Sequence, residues 1–318
     1  MITHKHRLSI EQIERAHALI DPVFINSPQI IAEHLGEILG VKLILKIETL
    51  NPIRSFKGRG ADLLVSNTKA PVQLVCASAG NFGQAMAYAA GKRGIPLKVY
   101  AGKIANAYKI ERMRALGAEV ILHGDDFDAA KLEARRIANE KGFRFVEDSV
   151  DIETLQGAAT IALELLKFSV MPDVLLIALG NGALFNGMSF VMKHYYPSTK
   201  LIAVQSEGAP AMIESYRSGT TITHDEVHTI ADGIAVRIPV QQALDDMKGM
   251  ADDTLLVSEP AILKAMRLIL LHAGLAAEPS GAVGIAALLE QPEMFRGKTV
   301  ATIICGGNLT EEQVNKWL

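Results

Sequence analysis

The stretch NPIRSFKGRG, residues 51–60, sets one lysine, Lys57, between a phenylalanine and a glycine, just after a proline turn and just ahead of a helix-length run. A lysine so placed is either a solvated surface cation or a nucleophile at the mouth of a pocket, where an amine withheld from water can attack a carbonyl or take a proton. Three glycine-rich stretches bear on the choice. CASAGNFGQA (76–85) and ALGNGALFNG (178–187) each follow a β-rich run and open a helix-length segment, and ICGGNLT (304–310) follows the last β-rich run. A strand, a turn of small residues and a helix start make an anion site, because free backbone N–H groups and the helix dipole point the same way. One such turn alone is equally consistent with tight packing. Three of them, together with SFKGRG, point to a bound anionic small molecule.

The kind of anion follows from spacing. No GxxxxGK[ST] occurs, which excludes a P-loop. A dinucleotide site has some support, since Gly180 and Gly182 begin a G-x-G and Glu207 ends the next strand, where a ribose-binding acid belongs. The third glycine, Gly187, comes too late for G-x-G-x-x-G, and that reading leaves Lys57 idle. A single phosphate fits the loop better. A lysine near a phosphate cradle suggests pyridoxal phosphate, bonded through its carbonyl to the amine and held through its phosphate by backbone amides. On this reading the proline turn and the following helix hold Lys57 toward the cofactor, and Gly58 leaves room for the cofactor ring.

The elements that must position these residues are legible as short β-rich runs alternating with helix-length segments. The strand runs are KLILKIE (42–48), QLVCA (73–77), LKVYA (97–101), EVILH (119–123), VLLIAL (174–179), LIAVQ (201–205), LLVS (255–258) and TVATII (299–304). Between most of them apolar residues recur near every 3.6 positions, as in NFGQAMAYAAGKRG (81–94) and EPAILKAMRLILLHAG (259–274). This alternation means βαβ units and mostly parallel sheets covered on both faces. The three glycine loops then sit at strand carboxyl ends, where open α/β sheets bind ligands. Three of these runs fall between 73 and 146 and the rest on either side, so we expect a small domain, 73–148, inserted in a large one, 1–72 and 149–318, with the cleft between them.

Bulk properties bound the function. The 318 residues are 49% hydrophobic and 21% charged, with a formal net charge of −3, which suits a soluble globular protein and offers nothing to nucleic acid or an anionic membrane. The charge-free run Val174 to Met192 is interrupted by Gly180, Asn181, Gly182, Asn186 and Gly187, and reads as strand, loop and helix. The N-terminal segment is amphipathic and carries acids, unlike a signal peptide. Cys76 and Cys305 lie far apart and suit a reducing cytoplasm. Nine histidines make no ligand spacing, so no metal centre is expected, and His4-Lys5-His6 reads as a mobile tail. The sequence ends on TEEQVNKWL (310–318), so no C-terminal regulatory module is expected.

NPIRSFKGRGA resembles the P-x-x-SFK-x-RGA block of the fold-type II pyridoxal-phosphate enzymes, the group of threonine and serine dehydratases, serine racemase and the tryptophan synthase β chain. SAGNFGQAMAYAA is similar to their S-[SA]-GN-H-x-QA block, and RMRALGAEVILHG (112–124), ADGIAVRIP (231–239) and AEPSGAVGIAALL (277–289) resemble dehydratase segments. The resemblance covers nearly the whole chain with its motifs in order. It implies an α/β fold of two open, mostly parallel sheets flanked by helices, pyridoxal 5'-phosphate as cofactor, and Lys57 as catalytic residue and cofactor anchor. It also implies that Asn81 meets the cofactor's phenolic oxygen, that Gly180, Asn181, Gly182, Ala183 and Leu184 wrap the phosphate, and that Cys305 faces the pyridine nitrogen. Ser78, Ala79, Gly80 and Asn81 would line the place of the substrate carboxylate, with Ser78 and Asn81 free to cap the helix as well.

The chain departs from the family at two places. The phosphate loop reads GNGA where four glycines are common, and alanine tolerates positive φ poorly. Phe82 stands where many dehydratases have histidine. Ala79 stands where racemases of the family put a serine, which favours elimination over racemisation. Glu207 either belongs to a cation site or ends a strand, and Glu278 lies near the pocket. The resemblance therefore implies a homodimeric, cytoplasmic ammonia-lyase that converts L-threonine or L-serine to a 2-oxo acid and ammonia. A lyase, synthase or racemase acting on another β-substituted amino acid is the alternative within enzymes. A cofactor- or nucleotide-binding module without turnover is the alternative outside them.

Overall fold

The computed structural model describes residues 6–69 and 71–318. His4 and Lys5 of the expected mobile tail lie outside the described residues. His6 corrects that expectation: its ring packs 4.8 Å from that of Phe190, and its Nε2 bonds the Asp246 carbonyl at 3.0 Å. Arg7 secures the same segment, with Nε 3.0 Å from Asp246 Oδ1 and Nη2 donating to the Ser149 carbonyl at 2.9 Å.

Ten strands follow in chain order: β1 (Gln29–Ile31), β2 (Lys42–Ile47), β3 (Leu74–Ala77), β4 (Leu97–Ala101), β5 (Glu119–Leu122), β6 (Arg144–Val146), β7 (Val174–Ala178), β8 (Lys200–Ser206), β9 (Asp253–Val257) and β10 (Thr299–Ile304). They form two sheets, a six-stranded one ordered β1-β2-β10-β7-β8-β9 and a four-stranded one ordered β5-β4-β3-β6. Every neighbouring pair is parallel except β1 with β2. β7 is buried at all five positions, as a strand covered on both faces must be, which is why it reads as an unbroken apolar run. The stretch 174–192 resolves into β7, a turn, and the helix Ala183–Tyr195. Among the described residues no helix is long and apolar enough to cross a membrane.

Two features of this architecture position the site. β2, β10 and β7 are consecutive parallel strands, with Ile304 level with Ile47 and Thr302 level with Leu176, so their carboxyl ends open on one edge. From these ends come Lys57, Cys305 and the 180–182 turn. β3, in the other sheet, brings Ser78 to Asn81. The helix Lys57–Ser66 belongs to both halves. Its Ala61, Leu63, Leu64 and Val65 are buried in the core of the four-stranded sheet, while Gly60 presses on the helix Ile152–Leu165. A Cβ built on Gly157 would stand 2.3 Å from Gly60 N, so the two helices cross backbone to backbone.

Candidate active site

The loop from β2 to Lys57 is braced by one side chain. Asn51 Oδ1 accepts the N–H groups of Ile53 and Ser55 at 3.1 and 3.4 Å, and its Nδ2 donates to the carbonyls of Glu48 and Ser55 at 2.8 and 3.2 Å. Phe56 N–H donates to the Cys305 carbonyl at 3.0 Å, which ties the start of the lysine helix to the end of β10. Lys57 is the first helical residue. Its Nζ donates to Asp148 Oδ2 at 2.6 Å and lies 4.7 Å from the centre of the Phe56 ring. The reading of Gly58 as room for a cofactor ring is corrected here. A Cβ at Gly58 would fall 2.2 Å from Phe24, so the glycine makes room for a side chain of the protein itself.

A second group of contacts joins the two sheets at Glu278. Asn81 opens the helix Asn81–Arg93, and its Nδ2 donates to Glu278 Oε1 at 2.7 Å while its Oδ1 accepts from Asn308 Nδ2 at 2.9 Å. One Nδ2 hydrogen is thus committed and the other remains for a ligand. Asn308 N–H donates to Glu278 Oε2 at 3.0 Å. The carboxyl is buried, and that burial, reinforced by Asp232, pushes its pKa up to about 7 against the opposing pull of Lys109. The glycines around it are explained by this crowding: a Cβ on Gly306 would lie 2.1 Å from Glu278 Oε1, and one on Gly233 2.8 Å from Ser280 Oγ. Cys305 Sγ donates to the Ser280 carbonyl at 3.5 Å, and burial pushes its thiol well above the ordinary range, so the sulfur stays neutral. Lys109 pairs with Asp232, and Arg237 with Asp128, bridging the small sheet's helices to the 232–237 segment.

The expected substrate-side residues stand together. Ser78 Oγ accepts the N–H groups of Gly80 and Gly83 at 3.2 and 2.9 Å, which is the capping role. Gly80 faces open space, since a Cβ there meets nothing within 4 Å, and Ala79 beside it is half-buried. On the other side the turn 180–182 leads into the helix Ala183–Tyr195. Gly182 carries the left-handed backbone at φ +94°, and Ala183 is helical. The GNGA spelling therefore puts glycine where positive φ is needed and alanine where it is not. The first amides of this helix lack intrahelical partners, and Ala183 N–H points to Ser149 Oγ at 3.1 Å.

These residues fit pyridoxal phosphate. An amine stands in the cleft, amide donors head a 13-residue helix, a buried Ser280 hydroxyl has no partner among the described residues, and a neutral thiol sits at the β10 end. Glu207, by contrast, is exposed, and no group of three metal-ligating side chains occurs among the described residues.

Three functional features escape a reading of the sequence. Asp148, on the loop after β6, reaches Lys57. Ser149, buried and in the left-handed region at φ +70°, reaches the helix Ala183–Tyr195. Arg59 is fully buried, with Nε 2.9 Å from Glu48 Oε2 and Nη1 2.6 Å from Glu164 Oε1, and Lys46 Nζ lies 2.6 Å from Glu164 Oε2. Burial works to raise the Glu164 carboxyl, but Arg59 and then Lys46 hold it down at about 2. The SFKGRG motif contains Arg59, yet only a known partner would show why it is there.

A family model described as pyridoxal-phosphate dependent enzyme matches residues 20–306. The L-threonine ammonia-lyase of Thermotoga maritima is 35% identical over 312 residues, 97% of this chain and 78% of that protein. The processed form of threonine deaminase isoform 2 from Solanum lycopersicum superposes with a TM-score of 0.88 at 28% identity, over 98% of this chain and 89% of that one. Maize serine racemase does so with a TM-score of 0.90 at 27% identity, over 97% and 96%. Lys57, Asn81, the 180–184 turn and Cys305 all lie inside the matched span, and the chain belongs to the family of pyridoxal-phosphate-dependent enzymes.

Proposed function

We propose that this protein is an ammonia-lyase that converts L-threonine or L-serine to the 2-oxo acid and ammonia by α,β-elimination. The observation that carries the reading is Lys57 Nζ, held in the cleft at the carboxyl ends of β2, β10 and β7, with only the methyl group of Ala79 offered by the neighbouring 78–81 loop at the racemase serine position. Relatives named for threonine ammonia-lyase and threonine deaminase over nearly the whole chain support it. Maize serine racemase shares the fold equally well, and Ala79 is what argues against that activity here.

Lys57 Nζ is the group to bond the cofactor carbonyl and, once freed, to take the substrate's α-proton. Pyridoxal phosphate, when bound, supplies the electron sink that makes that proton removable. The turn Gly180, Asn181, Gly182, Ala183 and Leu184 suits its phosphate, with the helix dipole adding favourable potential, although Ala183 N–H already meets Ser149 Oγ at 3.1 Å. The remaining Nδ2 hydrogen of Asn81 suits the phenolic oxygen, and Cys305 Sγ suits the pyridine nitrogen without forcing it to be protonated. Of the loop Ser78, Ala79, Gly80 and Asn81, the N–H groups of Ala79 and Asn81 suit the substrate carboxylate, since Ser78 N–H donates to the Tyr100 carbonyl and Gly80 N–H to Ser78 Oγ.

The two sheets support a small domain, 73–148, inserted in a large one, 1–72 and 149–318. Two free, buried cysteines support a cytoplasmic location, and exposed Leu19, Val23 and Leu50 near the N-terminal third support a homodimer. The test of the activity is a visible spectrum, borohydride trapping, and oxo-acid release over a panel of β-substituted amino acids. The expected result is a yellow protein with pyridoxyl on the Lys57 peptide that releases oxo acid from threonine or serine. A colourless protein that binds NAD, or one that interconverts D- and L-serine faster than it releases pyruvate, overturns the reading.

A further inference from the structure

We propose that Asp148 is a second catalytic residue of the elimination, carrying a proton from Lys57 Nζ to the departing β-oxygen. The proposal rests on the ammonia-lyase reading, because only a hydroxyl leaving group needs that proton.

The two oxygens of Asp148 differ in a way that fits the task. Oδ2 accepts from Lys57 Nζ at 2.6 Å. Among the described residues, the buried Oδ1 has no hydrogen-bond partner. A carboxylate oxygen withdrawn from water without a donor is strongly unfavourable, so a donor brought by the ligand is the natural complement. Lys57, Asp148, Phe82 and Thr154 line one narrow crevice. Of these side chains only Thr154 also offers a hydroxyl, and its Oγ1 already donates to the Asp151 carbonyl at 2.7 Å.

The carboxylate is also held in place by construction. The next residue, Ser149, keeps a left-handed backbone at φ +70°, which a non-glycine residue sustains only when its surroundings over-determine it. Its N–H donates to Thr154 Oγ1 at 3.0 Å, its Oγ accepts Ala183 N–H at 3.1 Å, and its carbonyl accepts from Arg7 Nη2 at 2.9 Å. Three fixed contacts thus reverse the chain and turn Asp148 toward the lysine.

The chemistry balances. The Cα–H bond breaks and its proton goes to Lys57 Nζ, while its electron pair becomes the second bond between Cα and Cβ. A proton passes from Nζ to Oδ2 of Asp148, and a half-turn of the carboxyl about Cβ–Cγ brings the O–H to the β-oxygen. The Cβ–O bond breaks with its electron pair on oxygen, which leaves as water. Lys57 and Asp148 end as neutral amine and carboxylate, as they began that sequence.

Asp148→Asn keeps the size and an acceptor oxygen but cannot carry the proton. The test compares L-serine with β-chloro-L-alanine, whose chloride leaves without one, and reads cofactor titration and melting temperature alongside. The expected result is native cofactor affinity and melting, β-chloroalanine turnover within about threefold of native, and serine turnover lower by about 100-fold or more, the usual range for a lost general acid. Asp148→Glu, which keeps a carboxyl, holds the serine-to-chloroalanine ratio within about tenfold of native. Parallel loss on both substrates, unchanged serine turnover, a lost visible band in Asp148→Asn, or a collapsed ratio in Asp148→Glu each overturns the proposal. Native protein that binds cofactor yet releases no pyruvate from serine overturns the ammonia-lyase reading instead.

Discussion

Gly182→Ala and its neighbour Ala183→Gly should behave in opposite ways to what composition suggests, because the left-handed residue of the phosphate turn is Gly182. At φ +94° any side chain is strained, and for alanine the left-handed region costs about 1–2 kcal/mol. The added Cβ would also stand 2.9 Å from Asn186 Nδ2 and 3.2 Å from Ala243 Cβ. Asn186 is buried and donates to the Ala243 carbonyl at 2.9 Å, so displacing it endangers a buried hydrogen bond worth about 1–3 kcal/mol. The second contribution falls on the folded protein and lowers its melting temperature. The first is shed if residue 182 leaves the left-handed region, but then the amides of the turn no longer converge. Rebuilding them around a phosphate returns the 1–2 kcal/mol as a dissociation constant raised about 5- to 30-fold. Ala183→Gly puts a weaker helix former in a first turn and should change affinity less than about twofold. The assay is titration of cofactor-free protein with pyridoxal phosphate, followed by the visible band, with a thermal melt of each variant. Gly182→Ala with native affinity and native melting would refute the reasoning, as would a fivefold tightening in Ala183→Gly.

Three further outcomes are expected. With its carboxyl raised from an ordinary 4.5 to about 7, Glu278 keeps its proton in the folded state where the unfolded state releases it; native stability should therefore fall by roughly 3 kcal/mol as pH rises from about 4.5 through 7. Glu278→Gln removes that slope, so the difference in urea midpoint between the two proteins should move in the variant's favour across the same window; a pH-independent difference would assign the titration elsewhere. Arg59→Leu leaves Glu48 and Glu164 buried without the guanidinium that bridges them and should lower unfolding free energy by about 3–5 kcal/mol, and a loss below about 1 would show that the guanidinium is dispensable. Ala79→Ser supplies a hydroxyl beside Gly80 and should raise racemisation of serine, read by chiral chromatography; continued pyruvate release with no D-serine would place residue 79 away from the second face of the substrate.

What the chain discloses depends on whether a residue's type or its neighbour carries the information. β7 and β10 are legible because a strand covered on both faces has to be apolar throughout. β1 is illegible: its three residues sit at a sheet edge, half exposed, with no pattern long enough to read. The glycine loops can be found because close approach and positive φ restrict those positions to glycine, as at Gly182 and Gly306. Gly58 misleads for the same reason. The need for a missing side chain is visible in the sequence, but the object filling the gap is Phe24, brought there by the fold from 34 positions earlier.

The charged residues of the site are the hardest to foresee, since EDSVDIE (147–153) has the composition of a solvated acidic loop. Asp148 turns inward only because Ser149 reverses the chain, and nothing local demands φ +70° of a serine. A similar dependence explains the arrangement of SFKGRG. Residues two apart on a helix point to nearly opposite sides. Arg59 is fixed behind the first turn by Glu48 and Glu164, carboxylates from β2's end and from the helix Ile152–Leu165. That fork sets the rotation of the helix about its axis, and a helix so rotated can only present Lys57 forward, into the cleft where Asp148 receives it. The buried guanidinium is therefore what aims the amine, and the lysine's chemistry depends on a charge cluster that never meets the substrate.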